Sequence, residues 1–482
     1  MPLRGMLVPM ALEDRTAPSL MDTQVLFSLS IDPGVDIRDR PASGHQTGQT
    51  SGRFLRISLG KTLIGFIFDG NRNGQRSGQR EGHSMVCDDG ETIGLFEPVM
   101  VSDGSPARGA LNDLALELAE KSASFRSSLP ASMADALADL VRAMNCYYSN
   151  LIEGHDTHPI DIERAMRNDY SADPKKRNLQ LEAKAHIAVQ KWIDEDGMSD
   201  PPTAPAYIIE LHRRFCELLP PEFLLVETPK TGEKIPVLPG KLRTRYVEVG
   251  RHVAVSPGAV PRFLERMHKA YSLPGRIEPI LAAACAHHRL LWVHPFLDGN
   301  GRVARLMSYA MLRKTLDTRG LWSVARGLAR QEAAYKEHLA ACDGPRRGDR
   351  DGRGTLSEAA LASFAQFFLR ICIDEVEFME GLMRPDRLRD RILIWAEEEI
   401  RVGALPPKAD TVLKAVLYQG QIERGEVETI LGTSARTARR VTSALLEAGA
   451  LSSISTRAPL KLAFAAKYAG RWMPGLFPDR ET

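Results

Sequence analysis

Residues 294–305 read HPFLDGNGRVAR, which sets a histidine, an aspartate, an asparagine between two glycines and two arginines in one short run. These residue types at this spacing suit phosphate chemistry. Gly299 and Gly301 let the backbone turn sharply and approach a ligand closely. The first N–H groups of the helix that follows have no partner inside it and form an anion site. Arg302 and Arg305 lie three apart and share one face of that helix. Two cations at the positive end of a helix dipole are unfavourable unless an anion sits among them. A polyphosphate answers that need, because forked guanidinium groups match its oxygens. Asp298 can hold the Mg2+ that accompanies such phosphates. His294 has an unperturbed pKa suited to a general base near neutral pH. A calcium loop beginning at Asp298 is excluded, since Arg302 and Tyr309 occupy ligand positions of such a loop.

The flanking residues say what positions the run. Val303, Leu306, Met307, Ala310 and Met311 follow the spacing of one buried helix face, and the helix is predicted to end near Gly320. Residues 280–293 are apolar almost all round, which predicts a central buried helix before the loop. Helical periodicity extends from about 108 to 385. It is broken by VLPGKLRTRYVEVGRHVAVSPGAVP, whose Pro, Gly and β-branched residues predict a short hairpin or flap, and by the charged, Gly-rich loop GPRRGDRDGRG. His287 and His288 sit beside the run. No acidic or cysteine ligand completes a metal site with His294 in sequence, so they read as core histidines or supports of the site.

The rest of the chain bounds the function. Its 482 residues suffice for two to four domains. A net charge of +2 and a pI of about 8.2 exclude a surface that is basic throughout, so any basic role must come from a local patch. Six cysteines stand singly, with no CxxC; several lie in apolar helical stretches that fit buried thiols, and the pattern suits a reducing cytoplasm and no structural zinc. No run reaches the length of a membrane span. Residues 1–92 are rich in Gly, Ser, Arg and Gln and are expected to be a disordered N-terminal segment, or an extension upstream of a start near Met85. Within them TLIGFIFDG predicts a strand. DGNRNGQRSGQR opens like a calcium loop but has Arg80 where a bidentate glutamate is required.

HPFLDGNGRVAR resembles the Fic family motif HxFx[DE]GNGRxxR at every defined position, with a likeness that covers roughly residues 108–385. Family members typically transfer AMP from ATP to a hydroxyl of a target protein and release pyrophosphate. The resemblance implies that His294 deprotonates a Ser, Thr or Tyr and that Phe296 packs to fix the loop. It implies that Asp298 holds Mg2+, with Mn2+ as an alternative. Gly299, Asn300 and Gly301 would cradle the α- and β-phosphates, and Arg302 and Arg305 the outer ones. Relatives that transfer phosphate carry a GNGK-type loop, so these arginines favour adenylylation. SNLIEG (149–154) resembles the inhibitory motif [ST]xxxE[GN], which implies that Ser149, Glu153 and Gly154 form a self-inhibiting element with Glu153 paired to Arg305. A capping or surface glutamate is the plainer alternative. PGKLRTRYVEVG resembles the family flap, which docks a target by strand addition. Arg243, Thr244, Tyr246 and Val247 would serve there, although Tyr246 and Val247 equally suit strand residues packed inward.

The C-terminal stretch TSARTARRVTSALLEAGALSSISTRAPLKLAF resembles a winged helix-turn-helix. Thr433 or Ser434 would cap its second helix. Arg436, Arg439, Arg440 and Arg457, with Lys461, suit DNA phosphates, while protein contact or dimerisation is an equal alternative. The expected fold is therefore mainly α. Residues 93–385 form a Fic-type helical domain, with an inhibitory helix around 136–154, a catalytic core around 205–325 and a short β-hairpin flap. Residues 386–482 form a small winged helix-turn-helix domain. The expected function is a self-inhibited, cytoplasmic protein adenylyltransferase with ATP as substrate. Self-modification and a homodimer stay open. Its rivals are a hydrolase that removes AMP at the same site and a transcription regulator whose Fic core senses nucleotide.

Overall fold

The structure is a computed structural model that describes residues 65–68, 86–228, 232–272 and 275–478. Helical periodicity becomes helices where it was expected. In chain order these are α1 (Arg108–Ser127), α2 (Ala131–Ile152), α3 (Pro159–Met166), α4 (Pro174–Asp194), α5 (Pro205–Glu217), α6 (Val260–Tyr271) and α7 (Ile277–Val293). They continue as α8 (Asn300–Leu316), α9 (Ala325–Arg330), α10 (Glu332–Cys342) and α11 (Glu358–Met383). Prolines open α3, α4 and α5, where the missing N–H costs no hydrogen bond. Asp173 caps α4 through its side chain, which accepts from the N–H of Lys175.

The central helix is α7. Residues 280–290 are buried on every side, and α7 packs against α1, α6, α8 and α11. Its apolar circumference could face nothing but other helices. The next helix, α8, stops at Leu316, four residues before the predicted end at Gly320. Asp317 takes the left-handed cap position (φ 49°), and Arg126 donates to the Leu316 and Asp317 carbonyls at 3.1 Å each.

The flap forms as a hairpin of β4 (Tyr246–Val249) and β5 (His252–Val253). It follows a separate hairpin of β2 (Leu225–Glu227) and β3 (Lys234–Pro236). The strand expected within TLIGFIFDG is β1 (Gly65–Phe68), which adds antiparallel to the other edge of β4, with Gly65 opposite Val249 and Phe68 opposite Tyr246. The folded unit also begins earlier than residue 93. The Cys87 carbonyl accepts from Gly258 N at 2.7 Å, and Glu91 accepts from Ser256 N at 2.6 Å. The remaining expectations for residues 1–92, including the DGNRNG run and a start near Met85, fall outside the described residues.

The C-terminal unit contains α12 (Pro385–Arg401), α13 (Ala409–Gln419), α14 (Glu426–Leu431), α15 (Ala435–Glu447) and α16 (Ala469–Trp472). Its three-stranded sheet runs β6 (Gln421–Ile422), β8 (Leu460–Leu462), β7 (Leu451–Ser452). Here α14 and α15 lie where the helix-turn-helix was expected, and the β7–β8 connection where the wing was expected. Ser434 precedes α15 as expected but caps none of its N–H groups; its hydroxyl meets that of Thr437 at 3.4 Å. This unit rests on the helix that carries Ser149. The strand β8 packs against α2, and Tyr148 donates to the Leu476 carbonyl at 3.1 Å. The Tyr147 and Phe477 rings meet edge to face with centroids 5.6 Å apart. Among the described residues no helix is long and apolar enough to cross a membrane.

Trp472 is 1% exposed and packs edge to face on Trp395 at 5.0 Å and against Tyr468 at 5.1 Å. Trp472→Ala is expected to cost the C-terminal unit about 3–5 kcal/mol, measured by denaturant unfolding. A loss below about 1 kcal/mol would contradict this packing.

Candidate active site

Residues 294–299 fold as a tight loop between the closely packed helices α7 and α8, and residues 300–305 open α8. At its start His294 caps α7 in the left-handed region (φ 50°, ψ 62°), which is uncommon for a residue with a side chain. Gly299 (φ 80°) makes the turn into α8. Phe296 is buried and stacks on His212, with centroids 3.9 Å apart and planes 2° from parallel. Asn300 closes the loop, accepting from Phe296 N and donating to Phe296 O at 2.9 Å each. That side chain is therefore committed to the loop, and only the main chain of Asn300 is left to meet an anion, a narrower role than the expected cradle.

Both motif arginines are buried at the start of α8, Arg302 at 6% exposure and Arg305 at 4%. Arg305 donates through Nε to the Ser149 hydroxyl at 2.9 Å and through Nη2 to the Ser149 carbonyl at 3.0 Å. Its Nη2 also meets Glu153 Oε1 at 2.5 Å. Glu153 occupies the C-cap of α2, one residue beyond the helix, and Gly154 follows in the left-handed region (φ 82°). It is thus a capping residue and the partner of Arg305 at once. A β-carbon on Gly301 would stand 2.5 Å from Glu153 Oε1, so glycine at that position is what admits the carboxylate. Burial would raise the Glu153 pKa, but the charges of Arg305 and Arg302 outweigh it and hold the carboxyl at about 2.

Arg302 has a different partner. It is ion-paired with Glu182 of α4, a residue that is 0% exposed. His155 joins them, its Nδ1 2.7 Å from Glu182 Oε2 and 3.1 Å from Arg302 Nη2. The guanidinium lies over the Phe215 ring, and its buried Nε has no hydrogen-bond partner among the described residues. An unmet donor beside a helix start suits a phosphate oxygen. Sequence reasoning missed Glu182 and His155, yet a signal exists. Glu182, His186 and Gln190 recur every four residues on the buried face of α4 and oppose Asn145, Ser149 and Glu153 at the same spacing along α2 and its C-cap. The two polar stripes touch where Asn145 donates to Gln190 Oε1 at 2.7 Å.

Burial lowers the His294 pKa, helped by the charges of Arg243 and His252, to about 3. The ring is therefore neutral at ordinary pH and accepts a proton only weakly, a correction to the near-neutral base expected from the sequence. A hydrogen bond to the Leu291 backbone engages one ring nitrogen and leaves the other for that task. Asp298 is exposed, and its carboxylate makes no hydrogen bond or ion pair among the described residues. No cluster of three or more potential metal ligands occurs among those residues either. An exposed carboxylate near the charge of Arg302 could hold Mg2+ brought in on phosphates, which keeps most of its ligands from water and substrate.

Other expected residues fall elsewhere. His287 bonds Ser308 at 2.9 Å and Tyr335 at 2.7 Å, and His288 bonds Asp343 at 3.0 Å, so both are satisfied core histidines. In the flap Val247 is buried at 2% and packs inward, the second of its two expected roles, while Thr244 is exposed. Tyr246 is part-exposed and donates to Asp89 at 2.8 Å. Arg243 is 3% exposed and lines no open groove; it donates to main-chain carbonyls beneath the loop, a correction to its expected place on a docking surface. Arg436, Arg439, Arg440 and Arg457 are exposed on α15 and the wing, far along the chain from this site.

Residues 202–312 match the model of the Fic/DOC family. The chain is 28% identical over 172 residues to a protein adenylyltransferase Fic of Drosophila willistoni, covering 35% of this chain and 31% of that one. It is 26% identical over 170 residues to the protein of the same name from Drosophila melanogaster, covering 35% and 32%. The match thus spans about a third of these relatives' length. Among solved structures, a Fic family protein from Desulfovibrio desulfuricans G20 superposes with a TM-score of 0.43 at 15% identity, covering 76% of this chain and 98% of that one. Fic-1 from C. elegans gives 0.42 at 20%, covering 58% and 74%. Residues 202–312, which hold the motif folded between α7 and α8, thus match a Fic/DOC family domain.

Proposed function

We propose that this protein transfers AMP from ATP to a hydroxyl side chain of a target protein, and that it rests in a state blocked by Glu153. The observation that carries this reading is the Glu153–Arg305 pair at 2.5 Å, set at a helix start that is suited to phosphate. A carboxylate there occupies the place of the outermost phosphate.

With Glu153 displaced, the N–H groups opening α8 bind the phosphate chain, and Arg302 and Arg305 hold its outer part. Asp298 would hold Mg2+, whose charge stabilises the leaving pyrophosphate. His294 accepts the proton of the target hydroxyl as that oxygen bonds to the α-phosphorus and the bond to pyrophosphate breaks. A target segment would add as a strand to the flap. In this structure β1 pairs along the edge of β4, so a target strand would take the place of β1 there.

A second role is favoured by the C-terminal unit. Arg436, Arg439 and Arg440 project from α15 and Arg457 from the wing, all exposed. No carboxylate lies within ion-pair distance of them among the described residues. That arrangement suits the phosphates of duplex DNA lying against the helix and the wing.

Glu153→Gly is expected to raise AMP incorporation into the protein itself at least tenfold, on the order of the effect of a broken coupling of 1–3 kcal/mol, read with labelled ATP. Equal labelling would refute the inhibitory role. The gain should hold from about pH 6 to 8.5. A carboxylate whose pKa is lowered from 4.5 to about 2 loses its pairing only as pH falls below the upper value. A gain that shrinks steadily toward pH 6 would contradict that lock. His294→Ala in the Glu153→Gly background should lose at least about a hundredfold in rate, and retained activity would remove His294 as the base. If the wild type instead strips AMP from a modified target, with water taking the place of the hydroxyl, hydrolysis is the main activity. For the C-terminal unit, a mixed-sequence duplex followed by anisotropy should bind more weakly as salt rises. Replacing Arg436, Arg439 and Arg440 with alanine should flatten the log–log slope by about 3. Binding that ignores salt and these arginines would exclude this role.

A further inference from the structure

We infer that Arg243 is a positioning residue for His294, and that it locks the flap and the general base into one rigid frame. This inference rests on the adenylyltransferase reading above. The guanidinium is buried and its hydrogen bonds go to main-chain carbonyls, with no carboxylate among them. Nε donates to the His294 carbonyl at 2.7 Å, Nη1 to that of Arg245 at 2.9 Å, and Nη2 to those of Val255 and, at 3.4 Å, Val293. The Arg243 main-chain N–H donates to the Pro295 carbonyl at 3.0 Å. One residue therefore grips the carbonyls of three successive residues, 293 to 295.

Those carbonyls need holding. Val293 ends α7, where helix carbonyls lack intrahelical partners and a cation is favourable. His294 is in the left-handed region, a conformation that persists for a residue with a side chain only when its surroundings enforce it. The direction of the imidazole follows from that backbone. Arg243 also lies three residues before β4, and Arg245 and Val255, whose carbonyls it binds, flank the β4–β5 hairpin. The strand edge that would present a target hydroxyl and the base that would receive its proton are thus tied through one planar, five-donor fork. Lysine cannot reproduce that fork, because a single ammonium has no fixed plane.

The test uses the full chain carrying Glu153→Gly, with Arg243→Lys added. The AMP-transfer rate at saturating ATP is expected to fall about a hundredfold, as for a small misplacement of a reacting group. The Kd for ATP should change less than about threefold, since Arg243 touches none of the phosphate-binding groups. Imidazole NMR signals of His294 should shift while those of His287 and His288 stay. An unchanged transfer rate overturns the inference. A rate and an ATP affinity that fall together would mark Arg243 as merely structural and overturn it too. If the lysine variant does not fold, Arg243→Gln, which keeps an N–H for the His294 carbonyl, is read the same way; failure of both to fold makes the residue structural. Absence of transfer by Glu153→Gly alone would sink the adenylyltransferase reading instead, so the two failures are distinguishable.

Discussion

Two guanidinium groups buried at the positive end of a helix require negative charge beside them, and the rest of the site is arranged around that requirement. At the start of α8 the protein supplies the charge from its own carboxylates, Glu153 to Arg305 and Glu182 to Arg302. A buried charge without a partner would cost several kcal/mol, so neither arginine can stand alone. The same requirement makes the site fit for a nucleotide, because a phosphate chain can take over the role of a carboxylate without leaving a cation unmatched.

The two carboxylates differ in how easily they can be replaced. Glu182 is fully buried in the middle of α4 and also holds His155, so it acts as a fixed support that leaves the Nε edge of Arg302 open. Glu153 lies past the last turn of α2, its side chain 23% exposed, with a left-handed glycine next to it. Displacing it asks for rotation of a helix end, not for unpacking of a core. A ligand shifts such an equilibrium only by its differential affinity for the two states. The C-terminal unit bears on the same helix through β8, Leu476 and Phe477. The helix that carries Ser149 is therefore held between the start of α8 and the C-terminal unit.

Much of this was legible in the residues. The apolar circumference of 280–293 and the single apolar face of 303–311 follow from helix periodicity, and both helices lie where that periodicity put them. The loop between them follows from its glycines, and the flap from its β-branched residues. What was not legible depends on tertiary partners. The α8 end at Leu316 is set by Asp317 and by Arg126 reaching over from α1, which no local pattern near Gly320 encodes. Asn300 suggests a phosphate cradle in the motif, but its side chain closes the loop on Phe296. Arg243 looks like one more flap residue until its carbonyl partners beneath His294 are in view. Glu182 was overlooked because a charged residue in a helix is usually taken as solvated. Its spacing from His186 and Gln190 on a face otherwise filled with alanine and isoleucine was the available clue.

The most direct test of the central claim compares nucleotides that differ only in their phosphate chain. Calorimetric affinities for ATP and for AMP should be measured on the wild type and on Glu153→Gly. If a carboxylate stands in for the outer phosphate, removing it strengthens ATP binding by about tenfold or more and leaves AMP binding unchanged. Equal affinities for ATP in the two proteins, or an equal gain for AMP, would contradict the account.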